Sequence, residues 1–166
     1  MKNNGIPPGL KKVAAMCILK ADDQFLLLKR GKTPNKGKYV PVGGKLDPFE
    51  GPITAVIRET YEETGIQINN PRFCGILIES SPTNYNWISY IYLAEIPFQK
   101  VPDCDEGELH WVKIEDLLNV PTPPTDWWIY KYVLENKPFA FNASYNDQLV
   151  MTKMVNEWDG FRITDL

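Results

Sequence analysis

The sequence predicts an α/β fold in which a mixed sheet carries helices on its faces. Three observations lead there. Short apolar runs, such as residues 13–20 (VAAMCILK) and 25–30 (FLLLKR), are bounded by turn residues, as strands are. From Gly51 the apolar spacing lengthens to steps of three and four, the signature of one helix face. Prolines 121, 123 and 124 then precede an aromatic segment of helical length, residues 126–134.

Taken in order, Asp22-Asp23 separates the first two runs and predicts a hairpin. Residues 29–38 are basic and turn-rich, and residues 39–46 (YVPVGGKL) set a short strand before a double glycine. In the helix that follows, Ile53, Val56, Ile57, Thr60 and Thr64 define the buried stripe. Pro52 suits its first turn and Gly65 the left-handed position that ends it. Strands are expected at 73–79 and 87–96, then an acidic linker at 97–108. A strand at 109–112 and a short helix at 114–118 lead to the aromatic helix. The C-terminal segment reads either as a hairpin turning at Asn146-Asp147 or as a helix over 149–158.

At 166 residues the chain suits one domain, residues 1–166. A net charge of -3 argues against a nucleic-acid polymer as partner, since phosphate neutralisation wants a basic surface. A small anion is still admissible, because a bound cation and a few local Lys or Arg can reverse the potential of one cleft. Cys17, Cys74 and Cys104 are scattered and odd in number, so free thiols are expected. Residues 1–9 are polar and lack the apolar run of a signal peptide. No stretch approaches the length of a membrane span. A soluble, cytoplasmic protein is the default; the oligomeric state is left open.

The informative segment is 44–66, GKLDPFEGPITAVIRETYEETGI. At about 100° per residue, Glu59, Glu62 and Glu63 share one arc of the helix, away from the apolar stripe. Like charges so placed repel, and cations relieve them. Oxygen donors of this kind suit Mg²⁺, or Mn²⁺ in its place. Arg58 lies four residues before Glu62, and its planar fork can brace Glu50.

Gly44, Glu50, Arg58-Glu59, Glu62-Glu63, Gly65 and Ile66 together resemble the Nudix box, G-x5-E-x7-R-E-U-x-E-E-x-G-U, with U a bulky aliphatic. Thr60 departs, standing where an aliphatic is usual. The resemblance implies a Nudix hydrolase, an α/β/α sandwich around a mixed sheet, with Glu59, Glu62 and Glu63 as divalent-metal ligands. Arg58 and Glu50 then organise the loop and helix, the Gly44 carbonyl is a further ligand, and Glu106, ahead of Glu108, is the loop acid. Residues 25–30 and 35–46 are similar to the entry to the box in the branch that cleans oxidised purine nucleotides, and residues 106–118 resemble the family segment that follows the core strands.

Such chemistry would use metal ions to polarise phosphate oxygens and to lower the pKa of the attacking water. Arg30, Lys38 and Lys45 are the candidate phosphate contacts, Trp87 a candidate stacking surface, and Asp126 a candidate acceptor for a purine edge. In the oxidised-purine branch paired aspartates stand near that last position; here Asp126 is alone. The leading expectation is conversion of a nucleoside triphosphate to monophosphate and pyrophosphate, 8-oxo-dGTP included. A second is a pyrophosphatase acting on ADP-ribose, a nucleotide sugar or a dinucleoside polyphosphate. A non-catalytic binding module is the third, and its usual sign, erosion of the box acids, is missing here.

Overall fold

A computed structural model describes residues 7–163. The first six residues of the polar start, and 164–166, lie outside the described residues. The strands are β1 (Lys12–Ala21), β2 (Gln24–Arg30), β3 (Tyr39–Val40), β4 (Val42–Lys45), β5 (Arg72–Ser80), β6 (Trp87–Glu95), β7 (Gly107–Lys113), β8 (Phe139–Tyr145), β9 (Met151–Asn156) and β10 (Arg162–Ile163). Helix α1 spans Pro52–Thr64 and α2 spans Pro124–Leu134. A single 3₁₀ turn, Ile114–Asp116, shortens the helix expected at 114–118.

The strands form one mixed sheet. β1 runs parallel to β6, and β5 parallel to β8; the other pairs are antiparallel. The FLLL run shows why its pattern did not alternate: Phe25, Leu26, Leu27 and Leu28 are all buried, because both sheet faces are covered. On one face, Ala15, Cys17, Leu19 and Leu26 pack with Ala55 and Val56 of α1. On the other, Ile18, Phe25, Leu27 and Ile91 pack with Ile129, Tyr130 and Val133 of α2. This is the α/β/α arrangement the box implied.

One local irregularity positions the site. β1 and β2 pair only at their turn end, from Leu19↔Leu26 to Ala21↔Gln24. Beyond it β3 joins β2 while β4 joins β1, so the returning strand fills the gap between them. Pro41 separates the two pieces, since it has no N–H for a ladder. The expected single strand at 39–46 is therefore two, and Gly43-Gly44 lies where the sheet divides.

One expectation needs correction, and one open choice is resolved. Ile53 is 49% exposed, while Ala55 is fully buried. The first turn of α1 projects beyond the sheet, so the buried stripe is Ala55, Val56, Thr60 and Thr64. The C-terminal segment is a hairpin and not a helix: β8 and β9 pair antiparallel around the turn at Asn146. The prediction that all three cysteines are free holds, with Cys17 and Cys74 buried. Among the described residues no helix is long and apolar enough to cross a membrane.

Candidate active site

The box folds around Arg58. Its guanidinium donates from Nε and Nη2 to the two carboxylate oxygens of Glu50, at 2.9 and 2.8 Å. Nη1 donates to Glu59 at 2.8 Å and Glu62 at 3.1 Å, and Nη2 also reaches the Lys45 carbonyl at 3.1 Å. One planar fork thereby ties the loop before α1 to the helix itself. Hydrogen bonds from Arg58, then from the Asp47 N–H, hold the Glu50 carboxyl down to about 2. The same pairing raises Arg58 further above its ordinary value.

Glu63 points inward, where the Gly43 N–H donates to its Oε2 at 2.9 Å. Burial, with added repulsion from Glu59 and Glu106, pushes its pKa up to about 7, against the opposing pull of the Gly43 N–H and Arg30. The glycines are there for space. Gly43 has φ 144, and a Cβ on it would lie 2.7 Å from Cα of Met16. A Cβ on Gly44 would collide with the Glu59 carboxylate. No other residue fits either position without moving backbone or acid.

Glu106, from the loop before β7, is the acid whose charge reaches Glu63; its own Oε1 pairs with Lys32 at 3.0 Å. Glu108 instead pairs with His110 at 3.1 Å on an exposed strand. Glu62 is the outlying member, its side chain 57% exposed. Among the described residues no three Asp, Glu, His or Cys side chains converge tightly enough to cage a metal. The expected trio is thus not gathered as one donor set, because Arg58 holds Glu59 and Glu62 toward itself. Chemically the donors still fit a hard divalent cation: Glu59 and Glu63 border one glycine turn, and Glu63 sits in a negative field that a cation would relieve.

On the α2 side of the same glycine turn opens a cavity of about 540 Å³. Gly43 and Gly44 form its rim, with Arg30, Lys38, Trp87 and Asp126 among its lining. Lys45 does not line it, but its Nζ lies 5.9 Å from the centre of the Trp87 ring. Three further tryptophans do not line the cavity. The Trp111 indole donates to the Gln99 carbonyl at 2.9 Å and packs on Phe98, while Trp127 and Trp128 pack edge to face on each other.

Asp126 opens α2 at the cavity floor. Burial and then the charge of Glu79 push its carboxyl up to about 7, against Thr125 and Lys38. Glu79 was not foreseen from the sequence. It is 6% exposed, lines the cavity, and accepts hydroxyl hydrogen bonds from Tyr145 at 2.7 Å and Tyr85 at 3.1 Å. A sequence signal existed: in FCGILIE, Glu79 is in phase with the buried Leu77, so an acid occupies an inward position.

The NUDIX domain model matches residues 10–136, most of the chain. The chain belongs to the Nudix family. It is 33% identical over 126 residues to the uncharacterized Nudix hydrolase YvcI of Bacillus subtilis, covering 73% of this chain and 78% of that one. It is 26% identical over 121 residues to human diphosphoinositol polyphosphate phosphohydrolase 3-alpha, covering 69% and 71%. Among solved structures, a MutT protein of Bacillus halodurans is similar with a TM-score of 0.78 at 28% identity, over 88% of this chain and 97% of that one. A MutT Nudix hydrolase of Burkholderia pseudomallei gives 0.67, also at 28%, over 75% and 98%. Nudix membership carries phosphoanhydride hydrolysis as the general chemistry, and the family commonly uses divalent cations. The branch is not fixed, because the structural likeness is to MutT proteins while many sequence relatives are diphosphoinositol polyphosphate phosphohydrolases.

Proposed function

We propose that this Nudix chain hydrolyses the phosphoanhydride bond of a nucleoside-diphosphate-linked compound, of the class to which ADP-ribose, nucleotide sugars and dinucleoside polyphosphates belong. The observation that carries the reading is one turn, Gly43-Gly44, with the acids Glu59 and Glu63 on one side and the cavity on the other. The base enters the cavity beside Trp87, and the diphosphate crosses the glycine turn to the acids. Cleavage of a diphosphate attached to a larger body also accords with the named activity of the diphosphoinositol relatives.

Glu59 and Glu63, with the Gly44 carbonyl, would hold a divalent cation, Mg²⁺ or Mn²⁺, which would supply Lewis acidity toward the phosphate oxygens and toward water. Glu62, more exposed, is an outer donor. Arg58 and Glu50 keep Glu59 and the loop in place. Arg30, Lys38 and Lys45 neutralise the phosphates as the bridging oxygen leaves with its electron pair. Glu106, paired with Lys32 at 3.0 Å, stands to take the proton of the attacking water.

A second reading is hydrolysis of a nucleoside triphosphate to monophosphate and pyrophosphate, 8-oxo-dGTP among the substrates. The likeness to the MutT structure favours it, as does Asp126 at the cavity floor. Products decide between the two. Incubation with Mg²⁺ and ADP-ribose, UDP-glucose, diadenosine tetraphosphate, dGTP, 8-oxo-dGTP or a diphosphoinositol polyphosphate, followed by chromatography, should yield phosphorylated halves from the first group. Pyrophosphate from a triphosphate at higher kcat/KM would favour the second reading. Turnover of all compounds undiminished by chelator would overturn both.

A further inference from the structure

The cavity has a wall outside the family-matched stretch. β8 and β9 follow residue 136, yet β8 pairs in parallel with β5 from Gly75↔Phe139 to Ser80↔Ser144. This hairpin adds Tyr145, Leu149, Val150 and Met151 to the cavity lining. Its turn is built by Asn146, whose side-chain oxygen accepts the N–H groups of Gln148 and Val150 at 3.0 and 2.9 Å. From the end of β8 the Tyr145 hydroxyl reaches across to Glu79.

The Glu79 carboxylate is thereby held but not neutralised. Its side-chain partners are two phenols, Tyr145 and Tyr85, which leave acceptor capacity on a group with about four lone-pair sites. Lys11 comes near but spends its ammonium on the Glu79 carbonyl and the Ser80 hydroxyl. Asp126 shares the floor, and Oδ1 takes only the Thr125 hydroxyl, at 3.2 Å. Both acids sit in a largely apolar cavity among Val40, Leu77 and Ile91. Their pKa values, each raised by burial, agree with a pair wanting donors.

We propose that Glu79 is a specificity-determining residue: with Asp126 it selects a base whose edge carries an N–H beside an NH₂, and Tyr145 is the residue that positions it. This rests on the reading in which the cavity takes the base, and within the proposed substrate class it favours guanosine compounds over adenosine or uridine ones. A guanine-type edge supplies adjacent donors to the pair. An adenine-type edge sets an acceptor lone pair against one acid, and a site built for donors rejects a ligand lacking them strongly. A polyanionic body in the cavity would meet two acids of its own sign.

Binding of GMP, IMP, AMP and UMP to the full chain, read by tryptophan fluorescence without metal, tests this independently of turnover. GMP should bind at least about tenfold more tightly than IMP, which lacks only the 2-amino group, and more tightly than AMP or UMP. Glu79→Gln should cut the GMP preference to within about threefold, and on hydrolysed substrates its effect should fall on KM more than on kcat. Tyr145→Phe, which keeps the acid and the ring, should lose about threefold of the preference. Equal affinity of the unmodified chain for all four nucleotides, or a preference unchanged in a folded Glu79→Gln, would overturn the proposal. A chain that prefers GMP yet cleaves nothing in the substrate panel sinks the proposed function alone. Cleavage without base preference sinks this inference alone.

Discussion

Glu50, gripped by Arg58 in the box, and Asp126, in the lining of the cavity, have carboxyls driven in opposite directions, one to about 2 and the other to about 7. At the box, a single guanidinium with 25% side-chain exposure satisfies Glu50, Glu59 and Glu62. At the cavity floor, Glu79 and Asp126 meet hydroxyls and apolar walls. Depth and partner together separate the two regions: hydrogen bonds from Arg58 lead the fall at Glu50, and burial leads the rise at Asp126 and Glu79, where among the described residues no cation makes a hydrogen bond to either carboxylate. Glu63 lies between these cases, facing the turn with no basic side chain in hydrogen-bonding contact.

The largest effect should come from breaking the box end. Glu63→Gln or Glu59→Gln should lower kcat/KM by about a hundredfold or more in Mg²⁺ with the fold intact, as steady-state kinetics and circular dichroism would show. An activity within twofold of the parent would remove these acids from the mechanism. Arg58→Ala should leave Glu50, Glu59 and Glu62 uncompensated and lower Tm by about 5 °C. Arg58→Lys should recover little of it, because an ammonium cannot match the bidentate grip on Glu50; calorimetry distinguishes the three proteins.

The cavity end should respond with the opposite sign. The folded pKa of Asp126 exceeds its ordinary value of 3.8, so the folded chain holds a proton that the unfolded chain has already released. Stability therefore falls as pH rises from about 4 to about 7, then levels. Asp126→Asn should be neutral near pH 4 and stabilising by on the order of 2 kcal/mol at pH 8, measured by urea unfolding at both values. A uniform effect across that range would mean that Asp126 is not the titrating group. The smallest effect belongs to Thr60, whose buried hydroxyl has no hydrogen-bond partner. Thr60→Val should stabilise by about 1 kcal/mol, and a loss of stability would show that the hydroxyl is satisfied after all.

The same contrast explains what the sequence revealed. The box is local: Glu50 to Glu63 lie within one loop and one helix, so the sequence could set Arg58 against Glu50, while the close approach of Gly44 to Glu59 appears only in the fold. Ile53 was misjudged because helical period does not say how far a first turn overhangs its sheet. The cavity is not local. Tyr145 meets Glu79 through the parallel β5–β8 pairing, and Asp126 joins the same cavity from α2. That pairing is hidden from sequence because β6, β7 and α2 separate its two strands along the chain. Arg30, Lys38 and Trp87 were singled out for charge or shape and do line the cavity, but nothing in their spacing required it.

The account turns on Glu59 and Glu63 holding a cation at the glycine turn. Titration of Mn²⁺ into the chain, followed by electron paramagnetic resonance of the free ion, measures that directly. Saturable binding that weakens at least about tenfold in both Glu59→Gln and Glu63→Gln is the predicted result. Binding unchanged in either folded variant would contradict it.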